Sequence, residues 1–345
     1  MKVARLADLF KKYKWSWWTG RILLGLAALL LVASLLGTLS RSRLLARYPP
    51  IGQLVNVGGY RLHLYCMGSG EPAVIIESGM GEPGISWAHI QPEVARFTRV
   101  CDYDRAGLGW RDPTPQSRTA EVITEELHTL LVNAAVPGPY VLVGYSSGGL
   151  VTRLFAYHYP EEVVGMVLID AAHGEQIERL QANAWLLPVL PRLFGILPLL
   201  VRSGIPALAP GVMPLPGREQ LPPEVYATYQ TLMAADADFV TAVHGEFLAV
   251  AGNLALARAV DSTETLGDMP LVVIASSQSD GMDLAGLSPA QQAYERVRHE
   301  LQGELAALST NGRLVIAYGS GHDIPFQRPD LVIDAVSEVI IAARR

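Results

Sequence analysis

Several things are scarce in this sequence. Two cysteines occur in 345 residues, and they do not form a Cys-x-x-Cys pair. His-Glu-x-x-His and Gly-x-x-x-x-Gly-Lys are missing too, so no spacing points to a zinc site, a dithiol redox centre or a phosphate loop. No cofactor and no metal are expected. Charged residues make up 17% of the chain, against about 25% in an ordinary soluble domain. Hydrophobic residues make up 50%, which excludes a disordered chain. The 32 glycines and 23 prolines would break long helices and exclude an extended coiled coil. The formal net charge of −6 leaves no electrostatic footprint for nucleic acid.

Acidic residues are especially scarce at the start. Residues 1–48 hold nine of the 27 Lys/Arg but only Asp8 among the 33 acids, a local net of +8 that leaves −14 for the rest. Within this stretch Ile22–Leu39 carries no charge. Eighteen residues at 1.5 Å per residue just reach across a bilayer core of about 30 Å. Trp15, Trp17 and Trp18 precede the run and Arg41, Arg43 and Arg47 follow it, the flanks of a membrane span. We read residues 22–40 as an uncleaved transmembrane helix. A cleaved signal peptide is the rival, although its apolar core would be shorter and Leu39-Ser40-Arg41 is a poor cleavage site. Six Lys/Arg before the span against three Arg after it put the N-terminus in the cytoplasm and the large domain outside. The expected layout is a basic segment over 1–21, the span over 22–40 and a linker over 41–52.

Beyond Pro49-Pro50 the pattern becomes that of a globular α/β chain. Gln53–Val57 and Tyr60–Cys66 flank Gly58-Gly59 as a hairpin. Apolar runs of strand length follow at Ala73–Glu77, Arg99–Tyr103, Tyr140–Val143, Gly165–Ile169, Leu271–Ala275 and Arg313–Tyr318. Thr119–Ala134, Ser288–Leu308 and Pro329–Ala343 have helical spacing. This alternation predicts a mostly parallel sheet with helices on both faces, built from 53–173 and 264–345. Residues 174–263 break the rhythm, with no clear strand and nine of the 23 prolines between Pro188 and Pro223. We expect a helical, Pro-rich lid there, over an apolar substrate or against the bilayer; an insertion whose apolar residues are simply core is the plainer alternative.

Gly144-Tyr145-Ser146-Ser147-Gly148 supplies the chemistry. A strand precedes it and Leu150–Tyr159 is helical after it. A serine at so sharp a strand-to-helix turn needs small neighbours, stands above the sheet edge and faces helix N–H groups that can meet negative charge. The chain here resembles the α/β-hydrolase superfamily over about Leu54 to Ala343, lid apart. Glu77-Ser78-Gly79-Met80-Gly81 lies where that family has its oxyanion loop. Cys101–Gly109 matches its Asp-x-Arg-Gly-x-Gly loop with Ala106 for the first Gly, and Gly319–Pro325 looks like its histidine loop. The resemblance implies an eight-stranded α/β-hydrolase fold and a serine hydrolase acting on carboxylic esters or related acyl groups, with lipophilic small molecules and the membrane as partners. Peptidases, thioesterases and C–C hydrolases share the machinery, and a binding module that has lost catalysis is a second class. Serine rather than aspartate at the elbow argues against epoxide hydrolysis.

The implied roles are Ser146 as nucleophile and His322 as its base, with His89, His173 and His244 as weaker rivals. For the acid, Asp280 after the Leu271–Ala275 strand is weighed slightly over Asp170, and Asp283 is near. The backbone N–H groups of Met80 and Ser147 form the oxyanion hole, and Tyr145 and Trp87 are pocket walls or ordinary packing. Asp104-Arg105 is expected to be a structural ion pair under the elbow. Cys66 and Cys101 fall on strands that neighbour each other in the family, so a cross-strand disulfide and two buried thiols both remain open.

Overall fold

A computed structural model describes residues 2–345 other than 111, 181–188, 190–193, 213–214 and 278–287, with backbone only over 2–17. The apolar runs form one eight-stranded sheet. Its strands are β1 (Gln53–Asn56), β2 (Arg61–Met67), β3 (Ala73–Glu77), β4 (Val100–Asp104), β5 (Tyr140–Tyr145), β6 (Val163–Ile169), β7 (Leu271–Ser276) and β8 (Gly312–Ala317). The spatial order is β1-β2-β4-β3-β5-β6-β7-β8. Strand β2 is antiparallel to β1 and β4, and all other pairs are parallel. Cys66 pairs with Cys101 across β2 and β4 and is joined to it by a disulfide. Of the two alternatives, buried thiols and a cross-strand disulfide, the structure has the disulfide.

Helices pack on both faces of the sheet and others lie outside it. They are α1 (Lys2–Arg47), α2 (Gln91–Val94), α3 (Ala120–Asn133), α4 (Gly148–His158), α5 (Gln176–Leu180), α6 (Leu197–Arg202), α7 (Pro223–Ala235), α8 (Ala237–Asp261), α9 (Pro289–Ala306), α10 (Ile324–Gln327) and α11 (Pro329–Ala343). Their starts follow local chemistry. The Thr119 hydroxyl accepts from the Val122 N–H to cap α3, and Ser288 with Gln291 forms a reciprocal capping box on α9. The two-residue period of the strands then divides the core. Ile75, Leu142, Leu168 and Val273 pack on one face against Leu127 and Leu130 of α3 and Phe155 of α4. Ile76, Val141, Val167 and Val272 pack on the other against Val336 and Val339 of α11. Each such buried side chain contributes about 1.5–3 kcal/mol of hydrophobic free energy, and a sheet buried on both faces reads as continuous apolar runs.

Between β6 and β7 every described element is helical, α5 to α8 together with short 3₁₀ turns at Ile205–Leu208 and Pro210–Val212. Buried ion pairs fasten this segment to the core. Arg153 of α4, wholly buried, pairs with Asp261 at the end of α8 at 3.1 Å and donates to the carbonyls of Gly149 and Ala172. Helix α8 is long and apolar, but it carries Glu246 and Asp261, which pair with core arginines.

The N-terminal helix runs well past both ends of the uncharged stretch. Its apolar residues Ile22, Leu23, Leu24, Leu29, Leu31 and Leu39 are all exposed, and it is long and apolar enough to cross a membrane. Its last turns and the linker touch the domain. Arg41 approaches Asp236 at 3.9 Å, Trp110 Nε1 donates to the Tyr48 carbonyl, and Gly52 N–H donates to His63 Nε2.

Candidate active site

Strand β5 ends in Tyr145, and the chain turns at once into α4. Ser146 sits in the turn at φ +53°, a left-handed conformation that costs a non-glycine residue about 1–2 kcal/mol. Surrounding backbone bonds hold it there: Ser146 N–H donates to the Ile169 carbonyl at 3.0 Å and Ala172 N–H donates to the Ser146 carbonyl at 2.8 Å. The flanking glycines are steric requirements. A Cβ on Gly144 would lie 2.5 Å from Thr152 Oγ1, and one on Gly148 would lie 2.4 Å from the Glu77 carbonyl oxygen.

Three side chains from distant parts of the chain meet at this turn. His322 follows β8 in a loop pinned by Gly319 N–H donating to Ser277 Oγ and Gly321 N–H donating to Gln327 Oε1. Its Nε2 lies 3.1 Å from Ser146 Oγ, and its Nδ1 lies 2.6 Å from Asp170 Oδ2. A carboxylate on Nδ1 keeps the proton on that nitrogen and leaves Nε2 free to accept from the serine hydroxyl. Two rival histidines bond elsewhere: His89 Nε2 contacts the Pro325 carbonyl, and His173 Nδ1 accepts from Glu175 N–H.

Asp170 stands at the end of β6, itself at φ +40°. Besides His322 it accepts from Ser276 N–H, Ser276 Oγ and Arg298 Nη2, the last at 2.6 Å. Burial opposes its charge, but the His322 hydrogen bond and the Arg298 guanidinium outweigh burial and hold its carboxyl below the ordinary range. Burial likewise opposes protonation of His322, and the bonded Asp170 outweighs it, so the imidazole is raised above the ordinary histidine value. Among the described residues Asp170 is the aspartate bonded to the imidazole, and Ser276 at the end of β7 points its backbone and hydroxyl into that carboxylate. Asp280 and Asp283 lie outside the described residues.

Neither Met80 nor Ser147 donates its backbone N–H to a protein acceptor among the described residues. Both line a cavity of about 130 Å³ beside Ser146, walled by Leu150, Val151 and Leu254 with Arg105 and Glu246 among its polar members. The Gly79–Gly81 loop is held from three sides. Gly79 N–H donates to Glu82 Oε2 at 3.3 Å, Gly81 N–H donates to Glu246 Oε2 at 2.9 Å, and Arg105 donates to the Gly79 carbonyl. Arg105 also pairs with Glu77 and Glu246, each at 3.2 Å. Asp104 and Arg105 are thus not each other's partners. Asp104 instead meets His63 at 3.0 Å and accepts from the N–H groups of Gly84 and Trp110.

The two expected pocket walls do not line this cavity. Trp87 is core, 1% exposed, with its Nε1 donating to Ser78 Oγ. Tyr145 packs behind the imidazole, ring centroids 5.2 Å apart, and its hydroxyl donates to the His322 carbonyl and to Asp323 Oδ1. Arg298, Arg105 and Glu246 complete the surroundings. Arg298 and Glu246 escape sequence reading because 128 residues separate Arg298 from Asp170 and 165 separate Glu246 from Gly81, and neither carries a local motif. Among the described residues no group of three His, Cys, Asp or Glu side chains could hold a metal ion.

The profile of the alpha/beta hydrolase family matches residues 74–335. The chain belongs to that family. It is 24% identical over 276 residues to the uncharacterized protein YqjL of Bacillus subtilis, a match covering 80% of this chain and 86% of that one. It is 29% identical over 134 residues to an uncharacterized vacuolar membrane protein of Saccharomyces cerevisiae, covering 34% of this chain and 21% of the yeast protein. Two similar solved structures are a thermophilic esterase from Thermogutta terrifontis (TM-score 0.56, 18% identity) and the epoxide hydrolase CorEH (TM-score 0.57, 17% identity). Each similarity covers 85% of this chain and 99% of the other. By family and fold this chain is an α/β-hydrolase, and its N-terminal helix is long and apolar enough to cross a membrane.

Proposed function

We propose that this hydrolase is a membrane-anchored serine enzyme that cleaves carboxylic esters or related acyl groups of lipophilic molecules. The observation that carries the reading is the chain of contacts from Ser146 Oγ to His322 Nε2 and from His322 Nδ1 to Asp170. A serine hydroxyl is a weak nucleophile and needs a base within hydrogen-bond reach. In this scheme Ser146 Oγ attacks the acyl carbon while His322 Nε2 takes its proton. The resulting oxyanion is met by the Met80 and Ser147 N–H groups, donors aimed at charge that develops only in the transition state. His322 then returns the proton to the leaving oxygen, and an acyl-Ser146 remains. Water, giving a proton to the same imidazole, then attacks the acyl carbon; the acyl–Oγ bond breaks, His322 returns the proton to Ser146 Oγ and the carboxylic acid leaves. Asp170 holds the imidazole tautomer and stabilises its charged form throughout.

The side chains of Ile123, Leu150, Val151 and Leu254 beside Ser146 favour an apolar acyl group. Residues 174–263 act as the lid over it. Epoxide opening through a covalent intermediate needs a carboxylate nucleophile, and the elbow carries a hydroxyl. For topology, the excess of basic residues before the apolar run favours a cytoplasmic N-terminus, a single span and an outer catalytic domain. The Cys66–Cys101 disulfide suits that side of the membrane. The test is labelling of the full chain by a fluorophosphonate. Wild type is expected to react and Ser146→Ala to be inert; equal labelling of the two would rule out Ser146 as nucleophile.

A further inference from the structure

The end of the apolar run and the segment between β6 and β7 meet backbone to backbone at Gly37 and Gly204. A Cβ on Gly37 would stand 2.2 Å from the Gly204 carbonyl oxygen, and one on Gly204 would stand 2.4 Å from the Gly37 carbonyl carbon. Gly204 turns at φ +76°, so the contact needs glycine on both sides. Nearby, Arg41 approaches Asp236 at 3.9 Å. Gly37 lies two residues before Leu39, the last residue of the uncharged run, which is about 3 Å along a helix axis. Whatever depth the end of that run takes in a bilayer, the Gly204 turn must share it.

The surface around that turn is apolar. From Leu193 to Gly217 the sequence has one charged residue, Arg202. Ile196 is 65% exposed, Leu199 66% and Val212 78%, with Leu200 and Leu208 also in the open. Scattered exposed leucines are ordinary on a soluble protein, but a group gathered beside a membrane helix marks an interaction face. Arg202 suits a lipid surface, since a guanidinium pairs with headgroup phosphates. Phe194 stacks on Phe247 of α8 with centroids 4.8 Å apart, while Glu246 and Leu254 of the same helix line the Ser146 cavity. One helix therefore separates the apolar face from the site.

We propose that Ile196, Leu199, Leu200, Leu208 and Val212 form a second membrane contact, seated at the hydrocarbon boundary of the bilayer that α1 enters. The lid then rests in the lipid surface, and acyl substrates reach Ser146 from the membrane rather than from water. This rests on the anchoring reading, and the test separates the two. The full chain, carrying one added cysteine at Leu30→Cys, Leu199→Cys, Val212→Cys or Thr310→Cys, is labelled with a fluorophore. It is then reconstituted in phosphatidylcholine vesicles with brominated acyl chains. All four positions are exposed, and the native thiols are consumed by the disulfide. Bromolipid is expected to quench labels at 30, 199 and 212, and aqueous iodide to quench only the label at 310. Quenching by bromolipid at 30 together with iodide quenching at 199 and 212 overturns the lid contact and leaves the anchor standing. Labels at 199 and 212 shielded from both quenchers mean that protein covers the face, which also overturns it. Bromolipid failing at 30 as well as at 199 and 212 removes the anchor and the proposal together.

Discussion

Replacing Asp170 by asparagine changes one charge at nearly constant shape. The Asp170 carboxylate takes the Nδ1 proton of His322 at 2.6 Å. An amide in its place can donate to Nδ1 instead, which forces the proton onto Nε2, where it blocks uptake of the Ser146 proton. The corresponding change in another Ser-His-Asp hydrolase lowers kcat by about 10⁴, which is about 5 kcal/mol of transition-state stabilisation. The fold is stressed as well, because Arg298 pairs with the same oxygen at 2.6 Å and the two side chains are only 16% and 5% exposed. Leaving one member of a buried pair costs about 3–5 kcal/mol. Asp170→Asn/Arg298→Gln removes the stranded guanidinium and should recover much of that stability but none of the activity. The rate constant of inactivation by a fluorophosphonate, which needs no knowledge of the substrate, read beside the melting temperature, separates the two effects. If Asp170→Asn reacts within tenfold of wild type while Asp280→Asn loses its reactivity, the acid is Asp280 and the reasoning from geometry fails.

Other expectations follow from the same contacts. The acid limb of the pH–rate profile should lie above the ordinary histidine value of about 6.5, because Asp170 outweighs burial and raises His322, and the base must be neutral to act. Arg298 opposes that protonation, so Arg298→Gln should move the limb to higher pH; an unmoved or lowered limb in a kcat/KM titration contradicts this. Glu246→Ala should lower kcat about ten- to a hundredfold with little change in KM, somewhat less than the about 10²–10³ lost with an oxyanion donor itself. Glu246→Gln, which can still accept from Gly81, should retain most of the rate. Cys66→Ser/Cys101→Ser opens a crosslink between residues 35 apart, worth up to about 4 kcal/mol by loop entropy, and an unchanged denaturant midpoint would count against it.

What sequence reading could reach depended on how local the signal is. The elbow is legible because a tight turn demands glycines within two residues of Ser146, and His322 because its loop is glycine-rich and ends the last strand. The strands are legible because a sheet buried on both faces writes itself as short apolar runs. The contact of Asp170 with His322 is not legible there, since two strand ends, after Ile169 and after Ala275, both offer aspartates, and only the register of β6 against β7 brings Ser276 onto Asp170. For Trp87 and Tyr145 the sequence leaves pocket wall and ordinary packing open, because the burial of a large aromatic near a motif depends on the packing around it, and the structure buries both. Asp104 and Arg105 are adjacent in sequence, yet their side chains serve opposite sides of the loop, and no spacing rule predicts that His63 and Glu246 are the partners.

In the proposed arrangement helix α8 links the membrane and the chemistry. Its Glu246 holds the Gly81 N–H and the Arg105 guanidinium that together fix the oxyanion loop. Its Phe247 meets Phe194 on the face that adjoins the Gly204 turn. Residues 246 and 247 are neighbours on one helix and point to different sides of it, since successive side chains are about 100° apart. A displacement of α8 away from the Phe194 side must therefore act on Gly81 and Arg105 together, through a buried carboxylate that cannot be left unpaired without cost. If lipid seating steadies the face of Ile196, Leu199, Leu200, Leu208 and Val212, the Gly79–Gly81 loop is steadied by the same contact. Vesicles should then raise kcat for a water-soluble ester in the wild type and fail to do so in Glu246→Ala, whereas an effect of vesicles on KM alone would mean that the membrane only concentrates substrate.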